Sequence, residues 1–109
     1  MPTSNAKFND YVTRSFRDTA DADYVAARAL YRILLDQQFL WAALQAIEKY
    51  LKAILLYHRV STKRLGHDIC RALHQIRAID AIAFDVSSDV EKFIQQLAVY
   101  GCNRYFEHL

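Results

Sequence analysis

The sequence predicts an all-α fold, a bundle of four helices that share one core. Its 109 residues include only two glycines and one proline, fewer turn residues than a β-sandwich or an α/β fold requires. Hydrophobic residues make up 53% of the chain, enough to form the core of one domain of this length. The stretch 37–57 is apolar around most of a helical circumference, and a helix of that kind lies inside a core.

The residues before the central helix divide into an arm and a first helix. Residues 1–17 mix polar and aromatic side chains and are assigned to an N-terminal arm, which either docks on the bundle or stays mobile. The bundle is assigned to residues 18–109. Asp18 or Thr19 is predicted to cap its first helix. Apolar residues then recur at helical spacing until Asp36, which is predicted to mark a short break and therefore an antiparallel turn.

The central helix keeps a narrow polar strip formed by Gln45, Glu48, Lys49 and Lys52. Glu48 precedes Lys52 by one turn, an order that supports a helix by roughly 0.2–0.5 kcal/mol. We expect Lys49 and Lys52 to be the solvated side of this helix. The same charges argue against a membrane span, because each one costs roughly 3 kcal/mol at mid-bilayer depth.

A loop and two further helices are predicted after the central helix. His67 or Asp68 begins the third helix, whose apolar stripe consists of Ile69, Leu73, Ile76 and Ile79. Ser88 and Glu91 have the spacing of a capping box at the start of the fourth helix. The apolar face of this helix extends as far as Tyr100.

The last stretch of the chain holds the candidate chemistry. If Gly101 ends the fourth helix, the residues after it form a loop or a short terminal helix. If the helix continues, Arg104 and His108 lie one turn apart on the same side. His transfers protons near neutral pH while Arg binds a phosphate, so such a pair can cleave RNA without a metal. The alternative is two solvated residues at a frayed helix end.

Several classes of enzyme are unsupported because their motifs are missing. The sequence has no phosphate-binding Gly-rich loop, no HExxH, no GxSxG and no regular spacing of metal ligands, so we predict neither a metal nor a cofactor. Cys70 and Cys102 stand alone, which predicts reduced thiols. The N-terminus lacks an apolar signal core, and we expect a cytoplasmic protein with no membrane partner.

Basic residues concentrate in one segment although the net charge of the chain is only +2. Asp68 is the single acid among five basic residues of this segment, Arg59, Lys63, Arg64, Arg71 and Arg77. The segment could bind phosphates, or it could be an ordinary solvated loop and helix face. His67 lies within it, and a loop-fixing or capping role for this residue is favoured over a catalytic one.

Three stretches of the chain resemble HEPN domains, the higher-eukaryote and prokaryote nucleotide-binding family. They are the segment 23–60, LGHDICRAL at 65–73 and YGCNRY at 100–105. The most specific part is ALQAIEKYLKAILL at 43–56, followed at loop distance by LGHD. The resemblance covers nearly the whole predicted bundle.

This resemblance implies an up-and-down helical bundle that forms a homodimer. Many members of the family are metal-independent endoribonucleases in toxin–antitoxin, phage-defence or RNA-processing systems, so RNA is the implied substrate and an antitoxin an implied partner. Other members lack nuclease activity and bind a nucleotide or a partner nucleotidyltransferase.

The resemblance also implies roles for individual residues. Arg104 polarises the scissile phosphate and His108 acts as general base or acid, in one cleft that two protomers share. Asn103 orients the phosphate, and the RNA backbone is held by Lys63, Arg64 and His67. Three residues separate Arg104 from His108, whereas nuclease members typically have four to six. This shorter spacing motivates the alternative of a noncatalytic binding module. A purely structural helical dimer is the third interpretation.

Overall fold

The computed structural model describes residues 3–106, with the backbone alone for residues 105 and 106. This part of the chain is helical and contains no strand, so the all-α prediction is confirmed. Its elements are α1 (Ser4–Val12), a π-helical segment (Thr13–Arg17), α2 (Asp18–Arg32), α3 (Asp36–Tyr57), α4 (Ile69–Arg77) and α5 (Ser88–Phe106). None of the helices in residues 3–106 is both long and apolar enough to span a bilayer.

The first helix begins much earlier than predicted. The Thr3 hydroxyl caps α1 by accepting a hydrogen bond from the Ala6 amide at 3.1 Å, and helical backbone continues through the π-helical segment into α2. The predicted cap at Asp18 or Thr19 is therefore wrong. Because the preceding backbone is already helical, the Thr19 hydroxyl instead donates to carbonyl oxygens of the previous turn. The residues assigned to an arm thus form helix, and Val12 among them is fully buried.

Helices α2 and α3 are antiparallel, as the short break at Asp36 predicts. The hydroxyls of Thr13 and Tyr57 share a hydrogen bond at one end of the pair, and the rings of Tyr31 and Phe39 lie 5.2 Å apart at the other. Contacts between early residues of one helix and late residues of the other require opposite chain directions.

Both helices of this pair end in a Schellman motif with a left-handed residue that is not glycine. Leu34 has φ 61° and Arg59 has φ 62°. At the end of α2 the Leu35 amide donates to the Leu30 carbonyl at 3.1 Å, and the Leu34 amide donates to the Tyr31 carbonyl at 3.2 Å. The same pattern ends α3. Glycine adopts this conformation without steric cost, whereas a residue with a Cβ is strained.

The core forms where α3 meets the other helices, which confirms its central position. The least exposed large side chains in it are Leu44 and Leu55 of α3, Ile69 and Ile76 of α4, and Leu97 of α5. A Cβ at Gly101 would lie 2.8 Å from Cδ2 of Leu44, so glycine lets α5 approach α3 closely. Helix α5 continues through Gly101, which selects the continuous-helix alternative.

The starts of α4 and α5 agree only partly with the predictions. Asp68 caps α4 by accepting a hydrogen bond from the Arg71 amide at 2.9 Å, as expected. The cap of α5 is Ser87, whose hydroxyl accepts from the Val90 amide at 3.2 Å, so the predicted capping box at Ser88 is wrong. Its other member, Glu91, does not reach back to the cap because it binds a basic side chain of α4.

That basic side chain is Arg77, which joins the end of α4 to the start of α5. Its guanidinium lies 2.7 Å from the Asp85 carboxylate and 2.8 Å from that of Glu91. Hydrogen bonds from Arg77 hold the pKa of both carboxyl groups below their usual values, and the two carboxylates raise the pKa of Arg77. Arg77 is therefore engaged within the protein and not available to an external phosphate.

Candidate functional site

The second half of α5 borders two separate cavities, one on each side of the helix. Gly101 is buried against α3. Cys102, on one side of it, lines a cleft of about 400 Å³ that also contains His67. Arg104, on the other side, lines a separate cavity of about 310 Å³ beside Trp41. Because successive helical residues are about 100° apart, these flanks diverge around the buried residue. Arg104 and His67 therefore belong to different cavities.

Arg104 lies against an aromatic ring with part of its guanidinium buried. Its Cζ atom is 5.5 Å from the centroid of the Trp41 ring, within the range of a cation–π contact. Its Nε atom is buried and has no hydrogen-bond partner among residues 3–106. An N–H group in that position costs roughly 1–3 kcal/mol unless an acceptor satisfies it.

The predicted partner of this arginine, His108, lies outside the described residues, so the pairing stays a prediction. Asn103, next to Arg104 on α5, is exposed and lines neither cavity. Lys63 and Arg64 are exposed in the turn that precedes His67. Lys63, Arg64 and His67 thus belong to one turn, whereas Arg104 lies in another cavity.

His67 forms a contact that fixes its loop to the central helix. Its Nδ1 lies 2.8 Å from Oε1 of Glu48, whose side chain is only 10% exposed. The other carboxylate oxygen of Glu48 lies 3.6 Å from Nζ of Lys52. This geometry supports the loop-fixing interpretation of His67. A buried carboxylate needs such partners, because taking a charge out of water is costly.

Lys49 and Lys52, which were expected to form the solvated side of the central helix, have side chains that are mostly buried. Glu48 lies beneath the loop that carries His67 and pairs with Lys52, whose side chain is only 17% exposed. Lys49 binds Asp23 of α2, with Nζ 2.6 Å from Oδ2. The prediction considered the central helix in isolation. In the folded protein, the loop that carries His67 and helix α2 both cover charged positions of this helix.

Fewer basic side chains of the segment 59–77 are free to bind a phosphate than the sequence suggests. Arg59 turns back to the first helix, where its Nη1 donates to the Asn9 side chain at 3.0 Å and its Cζ lies 4.2 Å from the Phe8 ring centroid. Arg77 is bound to carboxylates. The members that remain exposed without such contacts in the described part are Lys63, Arg64 and Arg71.

Sequence reasoning missed an apolar groove between α2, α3 and α5. Its volume is about 710 Å³, and its lining includes the rings of Tyr24, Tyr31, Phe39, Tyr50 and Phe93, with Arg28 and Arg32 among the other residues. Tyr24 and Tyr31 stand seven residues apart, two helical turns, and this spacing was the available signal. Desolvation and the hydrogen bond donated to Asp21 raise the pKa of Tyr50 to about 12, so this phenol stays neutral.

Comparison with protein-family models, with curated proteins and with solved structures finds no match. Within residues 3–106, no cluster of three or more His, Cys, Asp or Glu side chains could hold a metal ion. The site must therefore be interpreted from its own residues. Arg104 is the predicted site residue that has a buried polar atom without a hydrogen-bond partner in the described part of the chain.

Proposed function

We propose that this chain is a metal-independent endoribonuclease of the HEPN type, an up-and-down bundle that acts as a homodimer. The observation that carries the proposal is Arg104, held against Trp41 with a buried Nε that has no acceptor in the described part of the chain. A guanidinium held in this way can bind a phosphate oxygen through its terminal N–H groups with little loss of side-chain freedom, because its orientation is already set before the anion arrives.

The proposed reaction uses the 2′-hydroxyl of RNA as the nucleophile. His108 of one protomer removes the 2′-hydroxyl proton, and the oxygen attacks the adjacent phosphorus. Arg104 stabilises the negative charge that builds on the phosphate oxygens. The 5′-oxygen leaves with a proton from the second His108, which gives a 2′,3′-cyclic phosphate and a 5′-hydroxyl.

The homodimer supplies the second proton-transfer group that one chain lacks. Acid and base catalysis on one phosphate needs two proton-transfer groups, and a two-fold axis places two copies of each residue in one cleft. Asn103, exposed beside Arg104, would orient the phosphate. The exposed side chains of Lys63 and Arg64 would hold the RNA backbone through charge.

The proposal is tested by incubating structured and single-stranded RNA with the purified protein in EDTA. We expect cleavage that leaves 2′,3′-cyclic phosphate ends. Arg104→Ala and His108→Ala should each lower the rate by roughly 10²–10⁴-fold. Arg14→Ala and His58→Ala are matched controls, because both residues are exposed and away from the second half of α5. Unchanged cleavage by the Arg104 or His108 variant would remove that residue from the mechanism.

A second candidate, a noncatalytic module that binds a nucleotide, is favoured by the aromatic groove. Its volume of about 710 Å³ is in the range of small-molecule sites, its rings can stack on a base, and Arg28 and Arg32 could bind phosphate. Nucleotides should then raise the melting temperature of the wild-type protein but not of a Tyr31→Ala, Arg28→Ala variant. The absence of a shift with any nucleotide would leave this candidate without support.

A further inference from the structure

The aromatic groove between α2, α3 and α5 lies apart from the cavity that contains Arg104. It runs along α3 from Phe39 to Tyr50, about 16 Å of helix. Its floor includes two small, buried residues, Ala43 and Ala46, which leave room for a ligand. The nuclease reaction proposed above uses no residue of this groove. The groove is therefore free to bind a separate ligand.

A row of three aromatic rings, one from each helix, crosses the groove near the start of α3. The rings of Tyr31 and Phe39 lie 5.2 Å apart, and those of Phe39 and Phe93 lie 6.1 Å apart. Because these residues come from α2, α3 and α5 in turn, the row bounds one end of the groove. A short ligand therefore fits this shape better than a partner helix that has to continue past the rings.

The groove offers few hydrogen-bonding side chains to a ligand. Among the eleven described residues that line it, only three tyrosines and two arginines have polar side-chain atoms. The Tyr50 hydroxyl already donates to Asp21, and its pKa of about 12 keeps it neutral. A nucleobase has several donors and acceptors on its edge, and each one that is left unpaired in an apolar site weakens binding. A hydrocarbon body has no such groups, so the lining favours it.

Two arginines that line the groove lack a counter-ion. Arg28 and Arg32 stand one turn apart on α2, and both are exposed. Neither has an ion-pair partner within residues 3–106, although Cζ of Arg28 lies 5.8 Å from the Tyr24 ring centroid. None of the described lining residues is acidic. The charge of the groove is therefore complementary to an anion, and two guanidiniums one turn apart can donate to the same carboxylate.

We infer that the aromatic groove binds an amphipathic carboxylate, a hydrocarbon chain of medium length with a terminal carboxylate, as in a fatty acid. The chain lies along α3 among the aromatic rings, and the carboxylate accepts hydrogen bonds from Arg28 and Arg32. The inference is independent of the nuclease proposal, because Arg104 lines a different cavity. It competes with the nucleotide of the second candidate function, which would occupy the same groove.

Isothermal titration calorimetry of the wild-type protein with decanoate tests this site. We expect saturable binding and a rise in melting temperature, because the ligand binds the folded state. Octanoate should bind about tenfold more weakly, since it buries two fewer methylene groups. Decan-1-ol has the same chain without the charge. It should also bind about tenfold more weakly, because it makes no ion pair with the arginines.

Replacing the two arginines separates the contribution of the charge from that of the chain. The Arg28→Gln, Arg32→Gln double variant should bind decanoate about tenfold more weakly and keep its affinity for decan-1-ol. Arg14→Gln, Arg71→Gln is the matched control, because both residues are exposed and neither lines the groove. This control should bind decanoate with the affinity of the wild-type protein.

Filling the groove tests where the chain lies. Ala46→Leu adds a larger side chain to the lining and should weaken the binding of decanoate and decan-1-ol alike, by about tenfold. Tyr31→Ala is the second variant, and it should fold because the residue is 64% exposed. It removes one ring of the groove and should weaken both ligands about threefold. Far-UV circular dichroism and thermal melting establish that each variant is folded.

Three results would overturn the inference. They are a wild-type protein that binds no decanoate, equal affinities for octanoate and decanoate, and an Arg28, Arg32 double variant that binds decanoate as tightly as its control. A melting temperature that rises with a nucleotide but not with decanoate would also overturn it, and would assign the groove to the second candidate function. RNA cleavage is measured separately, so the failure of one proposal leaves the other standing.

Discussion

Replacing Glu48 by Gln should destabilise the protein more than any exposed ion pair can. The carboxylate lies 2.8 Å from Nδ1 of His67 and 3.6 Å from Nζ of Lys52, and its side chain is 10% exposed. Gln keeps the size of the side chain but removes the charge. Lys52, only 17% exposed, then loses its carboxylate partner.

The expected cost follows from the burial of these groups. Removing one member of a fully buried pair costs about 3–5 kcal/mol. The cost is smaller here because the His67 side chain is 54% exposed and the Lys52 stem can turn its amine to water. We expect a loss of about 2 kcal/mol, or about 10 °C in melting temperature for a domain of this size.

Urea and thermal unfolding followed by circular dichroism measure this loss. Asp10→Asn is the control, since its i,i+4 pair with Arg14 has side chains 60% and 76% exposed and should contribute less than about 0.5 kcal/mol. Equal, small effects of Glu48→Gln and Asp10→Asn would refute the reasoning about the buried cluster.

Three further predictions concern other parts of the fold. Arg77→Gln should destabilise the protein at pH 7 and have no effect in acid. The pKa values of Asp85 and Glu91 are lowered in the folded protein, so these carboxylates stabilise the fold at neutral pH. This stabilisation is lost as the pH falls through their folded-state pKa values. Melting temperatures of the wild-type and variant proteins from pH 2 to 7 measure the effect. Burial raises the pKa of the Cys70 thiol, so a disulfide reagent at pH 8 should modify Cys70 more slowly than the exposed Cys102, and equal rates would contradict this. Leu34→Gly should stabilise the fold by about 1 kcal/mol, because glycine adopts the left-handed conformation without steric cost, and a loss of stability in urea unfolding would be the opposite result.

The sequence predicted correctly the features that depend on the residues of a single helix and its ends. The central helix, the break at Asp36 and the Asp68 cap follow from apolar spacing and from cap chemistry, and all three are present. The start of the first helix at Ser4 was not predicted, because no clear sequence pattern indicates that helix continues through the π-helical segment into α2. Helical spacing was nevertheless visible, since Val12, Phe16 and Ala20 stand four residues apart.

The candidate site was harder to predict because it depends on how separate elements meet. The sequence predicts a loop-fixing role for His67 but does not identify Glu48 as its partner, because the loop covers α3 only in the folded tertiary structure. Arg104 was found from its place in a motif. Its position against Trp41 depends on the packing of α5 on α3, which no local pattern specifies.

Mixing wild-type protein with an inactive variant tests the shared cleft most directly. Wild-type protein and an equal amount of the Arg104→Ala, His108→Ala double variant are combined after brief dissociation so that their subunits exchange, and RNA cleavage is assayed in EDTA. A mixed dimer holds only one His108, whereas the proposed reaction uses one His108 as base and the second as acid. We predict that subunit exchange lowers the cleavage rate of the mixture to about half, because half of the dimers are then mixed; an unchanged rate after complete exchange would contradict a site shared across the two-fold axis.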